Sequence, residues 1–586
     1  MVISGGLHLG DRMARIPRPE HPRPSLYRRP WLCLNGTWKF AVDLDGTGEA
    51  RGWAREPELD LEILVPFPPE SRLSGLGLTD FMPVVWYSRS FRLPKAMAGK
   101  RILLHFGAVD YEARVWLNGH YLGEHRGGYT PFTFEITGKV SGGHNWLVLQ
   151  ARDDNRSGLQ PSGKQSARRE SYGCMYSRVT GIWQTVWLEA VGPAFIETVS
   201  VGTAKQGCRT WVVAKLSGSP EGVVEAFVYK DGAMVACGGS PASSEVRIPL
   251  DLGTPKLWSP DDPNLYDLEL VVRSGGRVLD RVRSYFGIRS VEIQGDRFLL
   301  NGKRIFQRLV LDQGYYPGGI YTAPSDGDLR RDIEISKEMG FNGARLHQKV
   351  FEPRFLYWAD RLGYMVWGEF PSWGIDPSRP QACENFISEW VEVLRRDIKH
   401  PCIIGWCPFN ETDPNQDSWV VRTVYGITKM VDPERPVIDT SGYTHVATDV
   451  YDCHDYDQNP QTFRARHLSI LERGEPYRNR PGRDAPYSGQ PVMVSEFGGT
   501  WWNPGQTGTK AWGYGERPKS EAEFLERYEA LTGALLANPK IVGFCYTQLY
   551  DVEQEVNGLL TYDRKPKFDP ARIRAINTRR AAYEER

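Results

Sequence analysis

Ile403-Ile404-Gly405-Trp406-Cys407-Pro408-Phe409-Asn410-Glu411 is an apolar run that closes on a charge. Pro491-Val492-Met493-Val494-Ser495-Glu496 repeats the arrangement and leads into Phe497-Gly498-Gly499. Runs of this length bounded by turn residues read as fully buried strands. Such a strand has no face on which to hide a carboxylate, so a glutamate at its end needs a reason. In a barrel of parallel strands, the carboxyl ends carry the active site. Two carboxylates meeting there are what glycoside hydrolysis requires.

Around these two runs, from about residue 291 onward, strands alternate with helices, which implies βα units and a parallel sheet. Candidate strands are Arg304–Val310, Ala344–His347, Met365–Glu369, Ile403–Pro408, Pro436–Asp439, Val450–His454, Pro491–Ser495 and Ile541–Thr547. Eight is the number a closed (β/α)8 barrel needs. One helix is expected to begin at Ser325, with Asp328 three residues on, and to stop at Gly340. A second carries Phe355, Trp358, Ala359 and Leu362 at helical spacing and stops at Gly363.

The first 290 residues read as all-β, with short alternating runs between Gly, Pro and Asn. Asn118-Gly119 after Arg114-Val115-Trp116-Leu117 is a hairpin signal. Gly192-Pro193 marks a boundary, and residues 194–290 suit a small sandwich. Two stretches, 153–172 and the arginine-rich 457–488, read as long polar loops of the kind that shape a pocket; the readings are a solvated loop, or a contact with an acidic substrate or within an oligomer.

The chain has 586 residues, too many for one core. Its 72 Lys+Arg balance 72 Asp+Glu, which argues against nucleic acid as a partner. No apolar run is long enough to cross a membrane. Nine scattered cysteines, without a C-x-x-C pair, suggest neither zinc nor redox chemistry. Met1-Val2-Ile3-Ser4-Gly5-Gly6 lacks the pattern of a signal peptide, so a cytoplasmic location is expected. There is no Gly-rich phosphate loop, and neither a metal nor a cofactor is expected.

Several motifs in order resemble glycoside hydrolase family 2, the family of β-galactosidases, β-glucuronidases and β-mannosidases. They are Leu34-Asn35-Gly36-Thr37-Trp38, Val85-Trp86-Tyr87-Ser88-Arg89, Gly127-Gly128-Tyr129-Thr130-Pro131-Phe132, Thr180-Gly181-Ile182-Trp183-Gln184, Phe286-Gly287-Ile288-Arg289, Trp406 to Glu411, Ser495-Glu496-Phe497-Gly498 and Asp563-Arg564-Lys565-Pro566-Lys567. The resemblance implies a multidomain protein: an N-terminal β jelly roll over 1–193, an immunoglobulin-like β-sandwich over 194–290 and a catalytic (β/α)8 TIM barrel over 291–586. It implies an exo-acting retaining glycosidase that removes terminal β-linked sugars. A carbohydrate substrate is the partner expected, and a homo-oligomer is expected because relatives are often dimers or tetramers.

On this resemblance Glu496 is the nucleophile, ionised at the start of the cycle, and Glu411 the protonated acid/base. Asn410 is expected to bond the sugar 2-hydroxyl, and Arg345 to orient Glu496. His347 departs from the family spacing by one residue and is either a site residue or a packed core histidine. His454 and Tyr456 follow the sixth strand, where a tyrosine can bond the nucleophile. Tyr546 stands where relatives carry a tryptophan beneath the sugar; Trp367, Trp373 and Trp501 are the other candidates for stacking. Asp312 either binds a sugar hydroxyl or holds a turn.

For the glycone the sequence leans to a galactose configuration. Relatives that cleave glucuronides carry Asn-x-Lys before the glycine at 558, where this chain has Glu555-Val556-Asn557, and an acidic residue there repels a uronate. The arginine-rich loop is a conceivable substitute. Alternatives are an α-L-arabinopyranoside, a β-galactofuranoside, a β-glucuronide or a β-mannoside, and outside the hydrolases a carbohydrate-binding protein without catalysis.

Overall fold

The computed structural model describes residues 16–203, 209–218, 221–413, 415–506, 508 and 510–585. The N-terminal Met1–Gly6 stretch and Cys208 lie outside the described residues. The other eight cysteines are free.

Two antiparallel sheets form the first domain. One runs in the order Leu61–Val65, Gly36–Val42, Val84–Phe91, Asn145–Arg152, Glu112–Leu117 and His120–Arg126; the other in the order Phe132–Glu135, Arg101–Phe106, Val186–Val191 and Trp31–Cys33. Alternate residues such as Val85, Tyr87, Leu104, Phe106, Leu147 and Leu149 meet between the sheets and are fully buried. Asn118 (φ 51°) and Gly119 (φ 79°) turn the hairpin between Glu112–Leu117 and His120–Arg126.

The second domain packs a three-stranded sheet (Phe195–Thr203, Thr210–Ser217, Glu245–Leu250) against a five-stranded one. The outer strand of the latter is Tyr27–Arg28, a piece of the N-terminal segment that pairs with Arg277–Phe286. Arg28 therefore joins both domains: it donates to Glu189 Oε2 (2.6 Å), Asp280 Oδ1 (2.9 Å) and Ile196 O (2.6 Å) while 2% exposed. Arg28→Met is expected to cost about 3–5 kcal/mol, since it leaves the buried Asp280 without its cation and Glu189 with Arg23 (2.8 Å) in place of two arginines. A thermal melt of the variant measures this as a lowered first transition.

In the third domain the strands are β1 (Gln307–Asp312), β2 (Gly343–Leu346), β3 (Met365–Glu369), β4 (Ile403–Cys407), β5 (Thr440–Ser441), β6 (Tyr451–Asp455), β7 (Val492–Gly498) and β8 (Ile541–Thr547). Seven of them form one parallel sheet, β4-β3-β2-β1-β8-β7-β6. The fifth position departs from the expected strand at Pro436–Asp439. Its contacts reduce to a Trp406–Val437 bridge and the pairing of Phe409–Asn410 with β5. Pro408 and Pro436 supply no N–H to a ladder there.

The connecting helices are α1 (Asp326–Glu338), α2 (Pro353–Leu362), α3 (Pro380–Asp397), α4 (Ser418–Val431), α5 (Pro460–Arg473), α6 (Glu521–Leu536) and α7 (Pro570–Asn577). Ser325 caps α1, accepting from the Asp328 amide. Gly363 ends α2 with φ +66°, and a Cβ there would lie 2.3 Å from Pro260 O, so only glycine fits. The stretch 457–488, expected as a loop, contains α5. Asn459 caps it, Pro460 starts it, Gly474 stops it, and Phe463, His467 and Ile470 are its buried face. The hairpin Val291–Gln294/Arg297–Leu300 covers the opposite end of the barrel, with Phe298 and Leu300 in the core.

Candidate active site

Glu411 follows the short strand Phe409–Asn410, and its amide donates to Ser441 O (2.9 Å). It has φ +45°, a left-handed conformation that a glutamate adopts only when its surroundings impose it. Glu496 lies within β7, where the pairing with β6 is irregular between Cys453 and His454. One atom from each of Glu411, His454 and Glu496 lies within 4.8 Å of the others. The two carboxylates thus approach more closely than the wide spacing of inverting glycosidases. These three are also the trio with metal-holding spacing among the described residues. They already hydrogen bond within the protein, so the donor set needs no ion to satisfy it.

Arg345 organises the floor of the site. It is 1% exposed and donates from Nε to Glu369 Oε2 (2.6 Å), from Nη1 to Glu496 Oε1 (2.7 Å) and from Nη2 to Asn410 Oδ1 (2.6 Å). Because its oxygen is held by Arg345, Asn410 turns its amide nitrogen away from the guanidinium. Tyr456 donates its hydroxyl to Glu496 Oε2 and stacks on Tyr514 at 3.5 Å. His454 spans the two glutamates: Nδ1 is 2.7 Å from Glu411 Oε1, and Nε2 is 3.4 Å from Glu496 Oε1. Burial opposes a charge on His454, but Glu496 and Glu411 outweigh it and raise the imidazole above its ordinary value.

Burial would also push the Glu496 carboxyl up. His454 and Arg345 overcome it and bring Glu496 down to about 2. Its ionisation therefore stabilises the fold above the ordinary carboxylate value of 4.5, and this contribution is lost as pH falls towards about 2. Arg345→Met is expected to raise that value. The acid limb of kcat/KM then moves to higher pH, and a pH–rate profile of the variant measures the shift.

His347 sits beside the same cluster, with Nδ1 3.0 Å from Glu369 Oε1 and 3.1 Å from Arg345 Nη2. Burial, with Lys164 and Arg345, holds it well below the ordinary histidine range, so it is neutral. Asp312 Oδ1 accepts from Gly314 N (2.9 Å) and from the Tyr550 hydroxyl, the bonds of an aspartate that holds a turn.

Two expected sugar platforms are corrected. Trp367 is fully buried inside the barrel, where Nε1 donates to Gln307 Oε1 (2.7 Å) at the start of β1, and its ring packs near Phe298. It lies one layer below Glu369, toward the closed end. Tyr546 faces outward from β8 onto α6, with its ring 4.9 Å from Tyr528. Trp373 instead lies beside Glu411, donating from Nε1 to Asn410 O (3.0 Å). Trp501, in the loop after β7, remains partly exposed and packs on Gly513.

Sequence reasoning passed over four contributors. Glu369 ends the apolar run of β3, the same signal that marks Glu411 and Glu496. Ser441 bonds His454 at 3.0 Å. Tyr176 donates to Glu555 Oε2 at 2.5 Å. Lys164, from the first domain, brings its Nζ to 5.7 Å from the Trp373 ring centre and had no signal beyond lying in a polar loop.

Comparison with known proteins gives the lineage. The description "Glycosyl hydrolases family 2, sugar binding domain" matches residues 76–161, "Glycosyl hydrolases family 2" matches 214–289 and "Glycosyl hydrolases family 2, TIM barrel domain" matches 291–578. A β-glucuronidase of Paenibacillus borealis is 26% identical over 445 residues, 69% of this chain and 72% of that protein. A β-galactosidase of Thermoanaerobacter pseudethanolicus is 28% identical over 377 residues, 61% of this chain but 48% of that protein. A β-glucuronidase from Ruminococcus gnavus, solved with D-glucuronic acid, superposes with a TM-score of 0.78 at 21% identity over 95% of this chain and 99% of that one. With all three of its domain descriptions matched in order, the chain belongs to glycoside hydrolase family 2, a family of glycosidases.

Proposed function

We propose that the protein is an exo-acting retaining β-glycosidase, with Glu496 as nucleophile and Glu411 as acid/base. The observation that carries this reading is the Glu411–His454–Glu496 cluster, whose two carboxylates meet within 4.8 Å beside Arg345, closer than an inverting mechanism needs. Glu496 Oε attacks the anomeric carbon as Glu411 gives its proton to the leaving oxygen, and a glycosyl ester forms. Glu411 then takes a proton from water, which attacks the same carbon and releases the sugar with retained configuration. Tyr456 and Arg345 hold the nucleophile in line, and Asn410 offers its amide nitrogen to the 2-hydroxyl.

For the glycone we favour a β-glucuronide, because several of the relatives carry the name β-glucuronidase. A neutral galactose-configured sugar is the second reading. Glu555 favours it: the carboxylate is 2% exposed, and Asn557 at the expected lysine position is committed to it at 2.9 Å. A panel of 4-nitrophenyl glycosides decides between them: β-D-glucuronide, β-D-galactoside, β-D-mannoside, β-D-glucoside, β-D-galactofuranoside and α-L-arabinopyranoside. Release from the glucuronide with β-anomer formed first, seen by NMR, is the expected result. Release from the galactoside alone would replace the glycone; an α-anomer would remove the retaining mechanism.

A further inference from the structure

The loop between Asn145–Arg152 and Gly181–Ile182 leaves the jelly roll and docks on the barrel. The Ser162 and Gly163 amides donate to Trp373 O (2.9 and 3.0 Å). Gly163 has φ +58°, and a Cβ there would meet Gln348 O at 2.2 Å, so the approach is closed to any other residue. Inside the loop, Gln165 Nε2 donates to Asp110 Oδ2 (2.8 Å) and Tyr176 N to Lys164 O (2.8 Å). These bonds fix the backbone on both sides of Lys164.

The Lys164 side chain is 6% exposed and lies between two aromatic faces, its Nζ 5.7 Å from the ring centres of Tyr176 and Trp373. The carboxylates that act on it are Glu555, Glu496 and Glu411. None of them closes an ion pair with it, and it makes no hydrogen bond to any described residue. An ammonium at the tip of a largely buried side chain, without a direct partner, is costly, and a site keeps one where a ligand completes it. The two rings that flank it connect to the chemistry: Trp373 bonds Asn410 O, and Tyr176 bonds Glu555.

We propose that Lys164 is a glycone-binding residue that takes the carboxylate of a β-glucuronide, delivered by the first domain into the barrel's pocket. This rests on the glucuronide reading above. An ammonium is a compact point charge with three donors, suited to a carboxylate that approaches from one side. Glu555, held by Tyr176 and Asn557, is left to accept a ring hydroxyl, and the charge of Lys164 offsets its own. The pocket end then presents a matched pair rather than a bare carboxylate, which answers the repulsion expected from the sequence.

The test compares kcat/KM on 4-nitrophenyl β-D-glucuronide with that on the β-D-glucoside, which differs by a CH2OH in place of the carboxylate. Wild type is run beside Lys164→Met and Lys164→Arg as full chains, with melting curves to check the fold. Lys164→Met is expected to lose about 100-fold on the glucuronide and much less on the glucoside, so that the ratio falls at least about tenfold. Lys164→Arg is expected to restore part of the ratio. Should Lys164→Met fail to fold, Lys164→Gln carries the same comparison. Equal losses on both sugars would overturn the proposal, leaving Lys164 to act on Glu496 and Glu411 instead; no loss on either would overturn it too. A wild-type enzyme that cleaves galactoside and not glucuronide is a separate result: it removes the glucuronide reading itself, and with it any carboxylate for Lys164 to bind.

Discussion

Glu496→Ala is expected to lower kcat by roughly 10⁴-fold or more, because it removes the proposed nucleophile. The carboxylate also anchors Arg345, Tyr456 and His454, so the alanine leaves three polar groups facing a gap. Glu496→Gln separates these effects. It keeps the volume and an acceptor oxygen, and is expected to be as inactive as the alanine while melting closer to wild type. Rates on the preferred nitrophenyl glycoside and a pair of melting curves measure both. Near-normal turnover in either variant would take the nucleophile's role away from Glu496. A 2-fluoro glycoside with a good leaving group is expected to label the wild-type peptide that contains Glu496.

Glu411→Ala is the second large effect, and its size depends on the substrate. Removing a general acid costs about 10²–10⁴-fold when the leaving group needs a proton. Nitrophenolate leaves with little help, so the first step on that substrate is expected to slow far less than on an alkyl glycoside. Hydrolysis of the glycosyl ester still needs the base, and the intermediate accumulates, which a rapid-mixing experiment reads as a burst of nitrophenol. Azide is expected to restore turnover and give a β-glycosyl azide, since a small anion that needs no deprotonation can enter the gap. An unchanged ratio between alkyl and nitrophenyl substrates would mean that Glu411 is not the proton donor. His454, 2.7 Å from Glu411, would be the next residue to replace.

The two glutamates were legible because burial makes a carboxylate at the end of an apolar run conspicuous. Glu369 carries the same mark and bonds Arg345, so the rule reaches further than its first use. What the sequence hid was direction. Strands buried on both faces show no alternation, and inward and outward residues look alike. On β8, Thr547 turns inward, 3.0 Å from the Tyr456 hydroxyl, and its neighbour Tyr546 therefore turns outward to α6. On β3, Trp367 shares the inward side with Glu369 but sits a layer lower. Parity and depth both come from the register of the seven-stranded sheet, which no single strand reveals. The helix α5 was legible and was passed over: its cap, proline and stop were all in the sequence. Lys164 was not, because 247 positions separate it from Glu411 and only the docking of the loop brings them together.

The docking of that loop has a consequence for the order in which the protein is made. The ribosome finishes the first domain while the barrel strands are still unmade, and domains of this size fold as they emerge. Ser162 and Gly163 are then exposed amides with no Trp373 carbonyl to meet, and Lys164 is a hydrated surface cation. The pocket closes only when the last-made strands join the sheet, so one end of it waits on the surface of a finished domain. A barrel produced alone would have all its glutamates and an open side, and a first domain produced alone would carry a lysine with nothing to face.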